Sequence, residues 1–214
     1  MVTDALYVLG LGRYKLNLSV LIVETKMSEM RLDRGIPVQF GNHVGYIYGG
    51  PYRAYKHGTR RLIGIKMAAE IDHPHDVSVP TKDFSVPDES LMQEGLIKAL
   101  YAISCGQDAY VGCMGGIGRT GLFMGCMVKS LQDACLWEEE VDPVMAVRNL
   151  YQPTAIETVA QMKYVRNFDS SPVVCWIDSL LEEETYRGAI QERVVYLSPW
   201  AWVVNKAKAI VRAF

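Results

Sequence analysis

The chain has 214 residues, of which 50% are hydrophobic and 21% charged, with a formal net charge of -2. That length supports one substantial hydrophobic core and falls short of two ordinary domains, so one domain is expected over residues 1–168, with a helical extension over 169–214 packed on it. The charge balance argues against disorder and against a general affinity for nucleic acid, and no apolar stretch approaches the roughly 20 residues that a membrane-spanning helix needs.

Asp4, Arg13 and Lys15 interrupt the apolar residues of the N-terminus, which therefore lacks the pattern of a secretion signal. The five cysteines, Cys105, Cys113, Cys126, Cys135 and Cys175, are odd in number and contain no C-x-x-C, which fits reduced thiols in the cytoplasm. Short β-branched and aromatic runs predict strands over Ser19 to Glu24 and Val44 to Tyr48. Between Pro51 and Ala69 stand Arg53, Lys56, Arg60, Arg61 and Lys66 without an acidic residue, either a solvated face or a stretch that meets an anionic ligand.

From Val77 the order is clearer. A short strand, Val77 to Val79, leads into a polar loop, Pro80 to Asp88. A helix follows with Leu91, Leu96, Ile97, Leu100, Tyr101 and Ile103 near helical spacing, capped by Asp88 or Ser90 and ended by Gly106. Ala109 to Cys113 reads as a buried strand. It runs into a glycine-rich turn, Met114 to Gly118, and then an apolar helix from Arg119 towards Cys135, which makes Cys126, Cys135 and, on the preceding helix, Cys105 candidates for the core. Asp142 with Pro143 predicts one more helix start, and Thr154 with Glu157 predicts a capping box opening a helix from Ile156 to Phe168. Ser198 and Pro199 open a C-terminal amphipathic helix, and residues 198–214 are candidates for a membrane-surface or subunit contact. Strands interleaved with helices imply an α/β fold: a central, mostly parallel β-sheet flanked by helices on both faces.

The run from Gly112 to Gly121 (GCMGGIGRTG) holds the chemistry. Glycines let the backbone curl so that the N–H groups of Met114, Gly115, Gly116, Ile117, Gly118 and Arg119 converge on an anion, and the following helix adds its positive end. The same groups would stabilise a thiolate at Cys113. Arg119 offers a planar fork for two phosphoryl oxygens, and the hydroxyl of Thr120 can hydrogen-bond the sulfur. A nucleotide-binding loop of the form G-x-x-x-x-G-K-[ST] shares this spacing, but Cys113 replaces its first glycine and Arg119 its lysine.

The pattern Cys113-x5-Arg119-Thr120 resembles the CX5R signature of the cysteine-based protein tyrosine phosphatase superfamily, in its compact dual-specificity form. Thr81-Lys-Asp-Phe-Ser-Val-Pro87 resembles that family's general-acid loop, with Asp83 lying 30 residues before Cys113. Asp83 is therefore the candidate acid, with Asp88 behind it because Asp88 looks like a helix cap. The segment Arg148 to Gln161 resembles the family stretch whose glutamine guides the hydrolytic water, which implies that role for Gln161. The family usually has histidine where this chain has Gly112, a departure shared with phosphatase-like proteins of bacteriophages or bacteria.

The resemblance implies a phosphatase acting on phosphotyrosine, and also on phosphoserine or phosphothreonine, in proteins or peptides. It works through a phosphocysteine intermediate with no cofactor and no metal, and His43, His57, His73 and His75 show no metal-ligand pattern. A module that binds phosphate without turning it over is the alternative, favoured by Gly112 and by the missing tryptophan of the acid loop.

Overall fold

The computed structural model describes residues 35–40, 43–58, 61–137 and 141–182. Five strands, β1 (Ile36–Phe40), β2 (His43–Pro51), β3 (Leu62–Ala68), β4 (Val77–Thr81) and β5 (Asp108–Cys113), form one sheet in the order β1-β2-β5-β3-β4. β1 pairs antiparallel with β2, while β2, β5, β3 and β4 run parallel. The fold is therefore α/β with a mostly parallel sheet.

β5 lies in the middle of the sheet, and its residues from Ala109 to Cys113 are all buried. This is why it reads as a continuous apolar run and not as an alternation. The edge strand β1 alternates as expected, with Ile36, Val38 and Phe40 inward and Pro37 and Gln39 exposed.

The helices α1 (Glu89–Ser104) and α2 (Gly118–Asp133) pack on the face of the sheet that carries Ile47, Ile65, Val79 and Val111. The helices α3 (Pro143–Leu150) and α4 (Val159–Asn167) form a further layer on α2. A fifth helix, α5 (171–182), buries Val173 and Ile177 in the same core. Among the described residues the opposite face is covered by a 3-10 turn, Tyr52–Ala54, and not by an α-helix. There Tyr55 stacks on Tyr110 with ring centroids 6.0 Å apart and leans on Tyr52 at 5.4 Å.

Several expectations change. β3 falls within the stretch read only as a basic run, and the strand β4 continues through Pro80 and Thr81. α2 stops at Asp133, so Cys135 lies beyond it, exposed and at φ 56°; Cys105, the C-cap of α1, is exposed too, and of the three expected core cysteines only Cys126 is buried. The helix expected from Ile156 starts at Val159, because Ile156 sits at φ 61°, a left-handed conformation that cannot begin a right-handed helix. Its capping box is Thr158 with Gln161, not Thr154 with Glu157. The strand expected over 19–24 and the helix expected from Ser198 lie outside the described residues.

The caps of α1 and α3 are as expected. The Asp142 carboxylate accepts from the N–H groups of Val144 (3.0 Å) and Met145 (3.2 Å) and pairs with Nε of Arg166 at 2.7 Å, tying α3 to α4. Partial burial would raise the pKa of Asp142, but these partners outweigh it and hold the carboxyl below its ordinary value. A depressed carboxylate adds stability that is present above its unfolded pKa and lost as pH falls through the folded one. Asp142→Ala should therefore cost about 1 kcal/mol near neutral pH, and denaturant titrations should show that difference shrinking below about pH 4.

Candidate active site

The carboxyl ends of parallel strands gather the candidate residues. β5 ends at Cys113, which is 4% exposed, and the chain turns through residues 114–117 into α2. The N-cap of α2, Ile117, makes no side-chain capping bond, so the first N–H groups of the helix are left for another acceptor.

Two glycines shape this loop by close approach. Gly116 has φ 72°, and a Cβ there would lie 2.3–2.6 Å from the backbone of Gly50 and Pro51. The Tyr151 hydroxyl donates to its carbonyl and fixes the peptide. At Gly112 a Cβ would lie 2.7 Å from the carbonyl oxygen of Gly50 and 2.8–2.9 Å from backbone atoms of Tyr52. The end of β2 and the 3-10 turn thus occupy the space a side chain would need, which accounts for glycine where the resembling family has histidine.

Arg119, on the first turn of α2, is only 2% exposed and is surrounded by acceptors. Its Nη1 and Nη2 donate to Oε2 and Oε1 of Glu70 at 2.8 and 2.7 Å, a two-bond fork, and Nη1 also donates to the carbonyl of Thr81 at 2.9 Å. Asp83 lies with Oδ1 3.0 Å from Nη2. Burial alone would lower the pKa of this guanidinium, but Glu70, Cys113 and Asp83 together raise it. The hydrogen bond from Arg119 in turn holds the carboxyl of Glu70 below its ordinary value. Glu70 escaped the sequence reading because nothing local marks it: it follows β3, 49 positions before its partner.

Thr120 is fully buried and accepts from the backbone N–H of Cys113 at 3.0 Å. A hydroxyl that accepts through oxygen still has its hydrogen to give. Asp83 stands in a turn over residues 82–85, closed by the Ser85 N–H donating to the Lys82 carbonyl at 3.2 Å. Phe84, next to it, is 62% exposed at φ 53°, a conformation that costs a bulky side chain about 1–2 kcal/mol. Asp88 is committed elsewhere, accepting from the N–H groups of Ser90 and Leu91 as the cap of α1.

Gln161 is fully buried and held at both ends of its carboxamide: Oε1 accepts from the Thr158 N–H and Nε2 donates to the Ser85 carbonyl, each at 3.2 Å. Glu157 does not cap a helix but presses its carboxylate on Gly118, where a Cβ would lie 2.2 Å from Oε2. Of the basic run, Lys66 spends its ammonium on the Ile71 carbonyl at 3.0 Å. Arg53, on the turn that follows Pro51, is exposed beside the strand end that pairs with Cys113, and Arg60 lies outside the described residues. Among the described residues no group of three His, Cys, Asp or Glu side chains is placed to hold a metal ion, and no helix is long and apolar enough to cross a membrane.

Two substitutions test this geometry. Gly112→His should destabilise the fold by about 1–3 kcal/mol, read as a lowered thermal midpoint; an unchanged midpoint would mean that the end of β2 yields easily. Glu70→Gln should cost about 1–3 kcal/mol, less than a fully buried pair because Glu70 is 40% exposed and screened by water.

No family model matches the chain, and no curated protein sequence matches it. Among solved structures it is similar to Tk-PTP in its active form, at 21% identity and a TM-score of 0.43 over 69% of this chain and 96% of that one. It is similar also to the kinase-associated phosphatase KAP with its catalytic cysteine changed to serine, at 16% identity and 0.44 over 64% and 97%. A third is the core catalytic domain of the PP-IP phosphatase SIW14 from S. cerevisiae, at 20% identity and 0.41 over 72% and 95%. At these identities and TM-scores, the function of this chain rests on its own residues.

Proposed function

We propose that the chain is a cysteine-dependent phosphomonoester hydrolase. The observation that carries this reading is the position of Arg119 on the first turn of the helix that follows the Cys113 loop, a buried guanidinium with Asp83 3.0 Å from Nη2. Nucleophile, anion-binding fork and proton donor then share one site. Among the described residues Nε of Arg119 has no protein partner. A phosphoryl group that displaces Asp83 from Nη2 can therefore be held by Nε and Nη2 together while Glu70 keeps its grip.

In the first step the Cys113 thiolate forms a bond to phosphorus as the bond to the ester oxygen breaks, and Asp83, in its acid form, gives that oxygen a proton. Loop N–H groups and Arg119 stabilise the charge spread over the equatorial oxygens. In the second step water attacks phosphocysteine and gives a proton to the Asp83 carboxylate left by the first step, the P–S bond breaks to return the thiolate, and phosphate leaves. Thr120 donates to the departing sulfur. Phosphotyrosine in proteins or peptides is the preferred substrate, with phosphoserine and phosphothreonine as further ones, because exposed Phe84 beside Asp83 and exposed Met114 beside Cys113 offer apolar contact to an aryl group. A thiolate nucleophile must stay reduced, so we assign the reaction to a reducing, cytosol-like compartment.

A second reading is favoured by the occupancy of Arg119: a protein whose fork stays with Glu70 and Asp83 would bind phosphate weakly and turn nothing over. Hydrolysis of p-nitrophenyl phosphate from pH 5 to 8 in EDTA separates the two. We expect turnover that vanadate blocks and Cys113→Ser abolishes, with Asp83→Asn slower by about a hundredfold on phenyl phosphate. A folded wild-type protein that binds vanadate without turnover, on this ester and on phosphopeptides, would establish the second reading.

A further inference from the structure

We propose that Gln161 is a positioning residue for the proton donor, clamping the turn that carries Asp83, and that it acts on the first chemical step. This rests on the phosphatase reading above and assigns Gln161 a different task from guiding water.

The orientation of the carboxamide follows from its partners. The Thr158 N–H can only donate, so it faces Oε1, and the Ser85 carbonyl can only accept, so it faces Nε2. The Thr158 hydroxyl accepts from the Gln161 N–H at 3.1 Å, which completes a capping box and anchors the base of the side chain on α4. With Gln161 fully buried, its side chain is a fixed bracket between the start of α4 and Ser85. Ser85 is the last residue of the turn over 82–85 that its own N–H closes on Lys82. Inside that turn Phe84 holds a left-handed conformation while its ring stands 62% exposed, so the ring provides little packing to keep it there. The bracket at Ser85 supplies the restraint that Phe84 lacks. Asp83, whose Oδ1 accepts from the Phe84 N–H at 3.1 Å, is aimed through the same turn.

Only glutamine serves both partners. Glutamate in its place keeps the acceptor for Thr158, and so the capping box, but puts an oxygen against the Ser85 carbonyl. Gln161→Glu therefore breaks the clamp in a protein that still folds, whereas Gln161→Ala removes both bonds.

The test compares wild type, Gln161→Glu and Gln161→Ala on phenyl phosphate, whose phenol has a pKa of about 10 and needs the proton, and on p-nitrophenyl phosphate, whose leaving group is far more acidic and departs without it. If Gln161 positions Asp83, both variants lose about tenfold or more in kcat/KM on phenyl phosphate, and clearly less on p-nitrophenyl phosphate. In the Asp83→Asn background the same changes add almost nothing. Amide exchange over residues 82–86 quickens in both variants, and α4 stays protected in Gln161→Glu. The proposal is overturned by unchanged exchange in the turn, by additive losses with Asp83→Asn, or by kcat falling on both esters at constant kcat/KM with a burst of nitrophenolate. The last pattern would place Gln161 in hydrolysis of phosphocysteine. Failure of the phosphatase reading shows separately, as wild-type protein without Cys113-dependent turnover, and the exchange measurement still decides whether Gln161 holds the turn.

Discussion

The buried guanidinium of Arg119 is the constraint around which the site is arranged. A cation that is 2% exposed is tolerable only where most of its donors are met, and the acceptors for Nη1 and Nη2 come from distant parts of the chain: Glu70 after β3, the Thr81 carbonyl at the end of β4 and Asp83 in the following turn. Pairing β3 with both β4 and β5 brings these three to the strand end where Cys113 emerges. The Glu70 fork orients the plane of the guanidinium before any ligand arrives. An arginine oriented in advance need not reorganise when charge develops on a bound phosphoryl group, and that is the main way such a group lowers a barrier.

The loop after Cys113 is shaped from behind by backbone. Gly112 and Gly116 both lie against the segment from Gly50 to Tyr52, so the end of β2 acts as the mould on which the loop is curled. Behind that segment the Tyr110 hydroxyl donates to the Pro51 carbonyl at 3.1 Å, and Tyr52 and Tyr55 complete an aromatic wedge. Burial pushes the hydroxyls of Tyr52 and Tyr55 above their ordinary pKa. A histidine at position 112 would shape the loop with a side chain. Here close contact with neighbouring backbone does that work.

What was legible in the sequence is what is decided locally. The passage from β5 through the loop to α2 carries its own signature, and Asp88 and Asp142 cap helices through N–H groups two and three residues away. What was not legible is decided by partners far along the chain. β3 is disguised by Gly64 and Lys66. A Cβ at Gly64 would lie 2.2 Å from the Tyr55 ring, and Lys66 turns its ammonium to the Ile71 carbonyl, so each interruption of the apolar pattern answers a contact that a short window does not contain. The segment after α3 shows the limit of motif reading: Thr154 with Glu157 and Thr158 with Gln161 both have capping-box spacing, and the positive φ of Ile156 selects the second.

The two halves of the site differ in how firmly they are built. In the site as proposed, the phosphoryl half consists of a central strand, a buried helix start and a guanidinium held by a two-bond fork. On the phosphatase reading, the half that meets the leaving group is one turn near the surface, which holds a residue costing about 1–2 kcal/mol of backbone strain and is fastened by the Asp83–Arg119 ion pair, by the Ser85 N–H on the Lys82 carbonyl and by the bond from Gln161. Every phosphate ester presents the same phosphoryl group, whereas the leaving group is what varies from one to the next. On the phosphatase reading, a phosphoryl site built on the core and a proton donor carried on a surface turn would let the donor meet leaving groups of different shape.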